Sequence, residues 1–310
     1  MKNIILSLAL VLPLVLSAQY SSHFLQRFTE SGKTGWRFST ATAANYGDIG
    51  SEAVDLSYSN NSSTTRGAKG DYSVAMGYNT TASGYASTAM GGYTKASGYG
   101  STAMGSYPTA SGDYSTAMGS FTTASGLIST AMGSRATASD YASLSIGSYN
   151  SVNSSVTGSA TAFNTANAAF VIGNGTASNA KSDAFVVYFN GNATLAGDLT
   201  INSDERLKDN IQPLGSTLNK LHQIEAKTYS LKKDEEHTPK IGVLAQEVQA
   251  VFPELVTEGA DGILSVNYQG LVPVLINAIN EQDAKIAALE EMVRFLAVQQ
   301  SQAASSVASN

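Results

Sequence analysis

The chain has 310 residues, no cysteine and a net charge of −6. The missing thiols exclude a disulfide framework, a thiolate metal site and a cysteine nucleophile. Residues 19–202 carry 8 Lys/Arg against 9 Asp/Glu, whereas residues 203–310 carry 9 against 15. Neither part has the basic face that a phosphate backbone requires, so nucleic acid is not an expected partner. The change of character near residue 200 predicts a domain boundary.

The chain opens on "MKNIILSLALVLPLVLSAQY". Lys2 precedes an apolar run from Ile4 to Leu16, and Ser17-Ala18 form a small-residue exit. That pattern predicts a secretory signal peptide over 1–18, cleaved after Ala18, and a mature chain that is secreted or held at a cell surface. No later stretch has the roughly 18 apolar residues a membrane-spanning helix needs, so no transmembrane anchor is expected. Residues 19–70 hold the only tryptophan, Trp36, near Phe24, Phe28, Phe38 and Tyr46. They predict an N-terminal cap and a first, degenerate coil of the repeat that follows, because an open sheet edge has to be hidden. An aromatic carbohydrate-binding platform is the alternative reading of the same cluster.

From Ser73 the chain repeats every fourteen residues: "SVAMGYNTTASGYA", "STAMGGYTKASGYG", "STAMGSYPTASGDY", "STAMGSFTTASGLI", "STAMGSRATASDYA" and the decayed "SLSIGSYNSVNSSV". Met76, Met90, Met104, Met118 and Met132 fall in register, with Ile146 in sixth place, and a glycine follows each. A second glycine recurs at Gly84, Gly98, Gly112 and Gly126, and Asp140 takes the fifth position. In "S-T-A-M-G" Ser and Ala face one way, Thr and Met the other. Each repeat therefore predicts one coil of a β-solenoid, with glycines at the turns and methionines stacked in a dry stripe. A thin alanine-glycine roll leaves an apolar side uncovered, which predicts association with further copies.

These repeats resemble the head repeats of trimeric autotransporter adhesins. The resemblance is strong over 71–150 and looser over 51–70 and 151–200, the last expected to form a degenerate β stalk or neck. It implies a mostly β fold: a left-handed parallel β-roll in a homotrimeric fibre. The adhesins' C-terminal membrane barrel has no counterpart in the sequence.

Downstream come "NSDERLKDNIQPL", "KIGVLAQEVQAVFPELV" and "VNYQGLVPVLINAINEQDAKIAALEEMV". Together they resemble the intramolecular chaperone domain of endosialidase tailspikes and tail fibres, a self-cleaving serine peptidase family. The resemblance covers 199–296 and implies a small α+β chaperone over 201–270. In the family, the serine of S-D-x-R-x-K attacks the peptide bond on its own N-terminal side with help from the lysine. Carried over, Ser203 is the nucleophile, Lys208 its partner and Asn202–Ser203 the scissile bond. A lysine serves as base when burial or nearby positive charge disfavours its charged form, and Arg206 is a candidate for such a charge. Positions five apart lie about 140° round a helix, so the pair meets only if Ser203 precedes a helix and Lys208 lies inside it. Spacing alone favours a plainer role for Ser203, as a helix N-cap with Asp204 and Glu205 in the first turn.

Residues 271–300 read as a coiled-coil helix. Val272, Ile279, Ile286 and Val293 form one seam line, and Leu275, Gln282, Leu289 and Leu296 the other. By composition alone these seams favour a parallel dimer, while both resemblances imply a homotrimer. Residues 301–310 predict a disordered tail. His23, His222 and His237 are isolated and no glycine-rich phosphate loop occurs, so neither metal nor cofactor is expected. The function these readings support is a secreted adhesin-like fibre with a host-surface molecule or glycan as candidate ligand. Its C-terminal domain would drive trimerisation and then cut itself off. A glycan-degrading tailspike is the enzymatic alternative, disfavoured by so few scattered acids. A phage tail fibre component is the other, and the leader argues against it.

Overall fold

The computed structural model describes residues 24–308 except 233 and 235. The predicted signal segment lies outside the described residues. The chain divides into two compact units between Ile201 and Asn202.

The first unit is a β-solenoid. Its long strands, Val74–Tyr78, Thr88–Gly92, Thr102–Ser106, Thr116–Ser120, Thr130–Ser134 and Leu144–Ser148, lie parallel within a twelve-stranded sheet. Short two-residue strands, from Gly67–Ala68 to Thr137–Ala138, form a second, six-stranded wall. Pairing is in strict register: Met118 lies between Met104 and Met132, and Ala117 between Ala103 and Ala131. The alternation read from the sequence is present, but the dry side is the other one. Ala75, Ala89, Ala103, Ala117 and Ala131 meet the short-strand alanines in one fully buried core. The methionines stand on the outward face, with Met76 37% and Met132 39% exposed. Two walls this close leave room for a methyl group only, and alternation then forces Met outward.

Both glycines lie beside turns, as the sequence had suggested, and Gly98 opens one that the Ser101 N–H closes on its carbonyl at 3.2 Å. Gly91 has a φ of +121° at the end of its strand, a conformation that L side chains rarely adopt. Close stacking also demands glycine at both places: a Cβ on Gly91 would lie 2.1 Å from the Gly105 carbonyl oxygen, and one on Gly98 2.0 Å from that of Gly112, each in the next coil. At one corner of each coil the left-handed residue is bulky: Tyr93, Tyr107, Phe121 and Arg135 have φ of 54°, 59°, 54° and 54°. Each such corner costs on the order of 1–2 kcal/mol. It is held by a hydrogen bond to the preceding coil, as from Tyr93 N–H to the Tyr78 carbonyl at 2.7 Å and from Tyr107 N–H to the Gly92 carbonyl at 2.8 Å.

Each end of the solenoid is closed by charge. At the start, the hairpin of Leu25–Glu30 and Lys33–Phe38 adds to the sheet, and Arg37 lies parallel to Asp55. Arg37 is 1% exposed and donates to Asp55 at 3.1 Å, Glu30 at 3.0 Å and the Gly47 carbonyl at 3.0 Å. Its guanidinium lies 4.8 Å from the centre of the Tyr46 ring. Two carboxylates and a ring thus compensate a cation that would be costly to bury alone. At the far end, Asp140 replaces the recurring glycine and is buried. Its carboxylate accepts from the Thr157 N–H at 2.7 Å, the Ala168 N–H at 3.1 Å and the Thr157 hydroxyl. Residues 151–167 thereby strap the last coil, and Asn153 Oδ1 accepts from the Ser139 and Asp140 amides at 2.8 and 2.7 Å. The chain then continues as Ala168–Asn174, parallel to Leu144–Ser148, and two antiparallel strands, Asp183–Tyr188 and Ala193–Leu195.

The second unit holds helices α1 (Leu218–Leu221), α2 (Ala245–Val251) and α3 (Leu271–Ala308) and two small hairpins, Lys227–Tyr229 with Lys240–Gly242 and Val256–Glu258 with Leu264–Val266. Val248, Phe252 and Val274 form its core, ringed by Leu221, Ile224, Val243 and Leu255. α3 runs on to Ala308, past the start of the predicted disordered tail at 301. Ala303, Ala304 and Ala308 are strong helix formers and no breaker intervenes, so the helix propagates. One face of α3 packs on the core through Val274 and Ala278, while the seam residues Ile279, Ile286, Leu289 and Val293 are exposed. Among the described residues, no helix is long and apolar enough to cross a membrane.

Candidate functional site

The second unit begins at Asn202, and the candidate dyad lies in its first turn. Asp204, Glu205 and Arg206 favour a short helical start, and a single 3-10 turn forms over Glu205–Leu207. Its N-cap is Asp204, whose carboxylate accepts from the Arg206 N–H at 2.9 Å. Ser203, the expected cap, is therefore left free of that duty. The turn begins at Glu205, which makes Asp204 the cap position, and its carboxylate faces the exposed amides of the turn.

Lys208 ends the turn in extended conformation, φ −117° and ψ 147°, rather than lying inside a helix as the spacing argument had required. Its side chain folds back over the turn, and Nζ donates to Ser203 Oγ at 2.7 Å. The structure thus brings together Ser203 and Lys208 by reversing the chain through one tight turn. Arg206, expected to lend positive charge to the lysine, is occupied elsewhere. It grips Asp204 with Nε at 2.9 Å and Nη2 at 2.7 Å. The guanidinium holds the Asp204 carboxyl below the usual carboxylate range. All of residues 191–216 are exposed, including Ile201, Leu207, Ile211 and Leu214.

The sequence reading missed one anchor of this unit. Thr217 sits at the N-terminus of α1 without capping it by its own side chain. Glu281 on α3 does so instead, its carboxylate accepting from the Thr217 N–H at 2.5 Å and the Ser216 hydroxyl at 2.8 Å, with Asn277 Nδ2 at 2.9 Å. These bonds, the Thr217 amide first, lower the Glu281 pKa below that of a free glutamate. A depressed carboxyl stabilises the fold above its unfolded pKa and loses that contribution as pH falls through the folded one. Acid titration followed by circular dichroism should accordingly show the α1–α3 contact weakening below the ordinary glutamate range. Glu281→Gln should be less stable at neutral pH and should lose that part of the acid dependence; an unchanged acid limb would show that the carboxylate does not hold the contact.

Comparison with known proteins gives the same division. The family model for the chaperone of endosialidase matches residues 203–257, starting at Ser203. The YadA head domain repeat matches in overlapping windows from 68–94 to 124–150. Among curated proteins, the long tail fiber protein Gp37 of Escherichia phage AR1 is 38% identical over 109 residues, 33% of this chain and 9% of that protein. Its counterparts from Salmonella phage S16 and Enterobacteria phage T2 are each 31% identical, over 122 and 102 residues. The matches span 16% and 8% of those two fibres. The chain therefore carries both modules whose motifs the sequence displays. The relatives belong to the phage fibre class that the leader had argued against, and the leader itself lies outside the described residues.

Proposed function

We propose that the chain is a homotrimeric fibre protein whose C-terminal unit is an intramolecular chaperone that assembles the trimer and then cleaves itself at Asn202–Ser203. The 2.7 Å contact between Lys208 Nζ and Ser203 Oγ, at the residue where the chaperone match begins, carries this reading. In the reaction Ser203 Oγ attacks the Asn202 carbonyl carbon while Lys208 removes the hydroxyl proton. The C–N bond breaks, Lys208 returns that proton to the leaving amine, and an ester joins Asn202 to the serine oxygen. Water then hydrolyses the ester, freeing an Asn202 carboxylate and the Ser203 hydroxyl.

A base must shed its proton, and desolvation is what drives a lysine to do so. Residues Ile201, Leu207 and Ile211 beside the dyad are exposed in one chain, as is the heptad seam of α3. Association buries both sets of apolar side chains and dries the dyad, so that cleavage follows assembly. In this reading the 1–18 leader directs the head out of the cytoplasm, where it displays its outer surface to a host molecule or glycan.

Sedimentation equilibrium and intact-mass measurement on the same sample test both parts. Three chains per particle, with fragments ending at Asn202 and beginning at Ser203, is the expected result. A monomer at micromolar concentration overturns the fibre; uncut chains in a demonstrated trimer overturn the peptidase.

A further inference from the structure

Tyrosines of adjacent coils stack in the solenoid. The chain has 15 tyrosines and no cysteine, so its coils cannot be stapled by disulfides. Tyr93 and Tyr107 occupy equivalent left-handed corners of adjacent coils, and their rings stack with centroids 4.5 Å apart at an interplanar angle of 5°. The rings of Tyr85 and Tyr99, each just before a left-handed residue at the corner that precedes the long strand, stack at 4.9 Å and 9°. Backbone hydrogen bonds hold each pair in place, from Tyr107 N–H to the Gly92 carbonyl and from Gly100 N–H to the Tyr85 carbonyl, both at 2.8 Å. All these rings are 41–45% exposed, so their edges and hydroxyls meet solvent while their faces cover one another. A sugar has no free ring face to stack on along the middle of such a ladder. A one-electron oxidant, by contrast, needs only the exposed phenol edges.

We propose that Tyr93–Tyr107 and Tyr85–Tyr99 are sites of oxidative dityrosine formation, which staples neighbouring coils of one chain. The co-reactant is a one-electron oxidant, for which a haem peroxidase with hydrogen peroxide serves. Each phenol loses one electron and one proton, giving two tyrosyl radicals whose spin extends to the ring carbons ortho to oxygen. Two such carbons join in a new C–C bond, and the ring hydrogens they carried return to the phenol oxygens by tautomerisation. The protein loses two hydrogens in all, and the peroxide is reduced to two waters. In-register stacking favours these pairs because the partner ring is already adjacent when the radical forms.

The molecule contains its own controls. Phe121 stacks on Tyr107 at 4.7 Å and 1° but has no phenolic hydrogen to give. Tyr78 meets Tyr93 at 81°, and Tyr114 meets Tyr99 at 61°, so these neighbours present edges.

The full-length protein, treated with haem peroxidase and hydrogen peroxide, should lose two hydrogens per bond by intact mass. Peptide mapping should find 93 joined to 107 and 85 joined to 99. Tyr93→Phe should remove the first cross-link and leave the second, and Tyr99→Phe the converse; phenylalanine keeps the stack, as Phe121 already does. Oxidised wild type should melt at a higher temperature than the double variant treated alike. Coupling mainly between chains, equal coupling at the edge-on pairs, or a yield unchanged in the double variant would each overturn the assignment.

Discussion

Ser203→Ala should leave every chain at full length, because it removes the proposed attacking oxygen that Lys208 contacts. Lys208→Ala should slow cleavage by about 10²–10⁴-fold, the usual worth of a positioned proton acceptor. Lys208→Arg is the sharper variant. Arginine can still donate a hydrogen bond to Ser203 Oγ, yet it stays protonated and cannot take the proton. If the lysine only positions the serine, the arginine variant cleaves; if it is the base, the variant fails while still forming trimers. Aspartate at both Ile279 and Ile286 puts charge into the exposed seam of α3 and should abolish assembly and cleavage together. Efficient cleavage by a monomeric seam variant would separate the dyad from assembly and sink the desolvation argument. The readout throughout is the fraction of chains ending at Asn202, measured by mass.

Gly98→Ala should be among the most damaging single methyl additions to the head. Its Cβ would sit 2.0 Å from the Gly112 carbonyl oxygen and 2.5 Å from the Gly112 carbon, both backbone atoms. No side chain can yield, and the coil spacing is set by the hydrogen bonds on either side. Relief therefore means opening the stack, with a loss of more than about 4 kcal/mol, in the range of exceptional single substitutions. Gly92→Ala is the matched control. Its Cβ would meet nothing within 4 Å, and Tyr78 and Ser106 already occupy its register position in the adjacent coils. That change should stay within about 0.5 kcal/mol. Thermal unfolding of the two variants side by side decides the matter: equal melting temperatures would mean that the coils separate freely and that the solenoid core is not close-packed.

The fourteen-residue period, the register of Met76 through Met132 and the turn of character near residue 200 are all legible in the sequence, because each is a local pattern repeated or interrupted along the chain. The pairing of Ser203 with Lys208 is legible only through family resemblance, since the spacing by itself favours a helix cap. What the sequence leaves open are choices between residues of similar local character. Ser203 and Asp204 both cap helices well, and only the folded turn gives that task to Asp204 and leaves the serine to the lysine. Gly91 and Gly98 look alike in the repeat, and a Cβ on either would strike a carbonyl oxygen in the next coil, but only Gly91 also has a positive φ. Alanine and methionine alternate either way round, and the narrow gap between the two walls decides that alanine goes in. Glu281 lies sixty-four residues from Thr217, so no local pattern connects them. Periodicity is a property of neighbours in sequence; burial, caps and clashes are set by neighbours in space, and these exist only once the coils have stacked and α3 has docked.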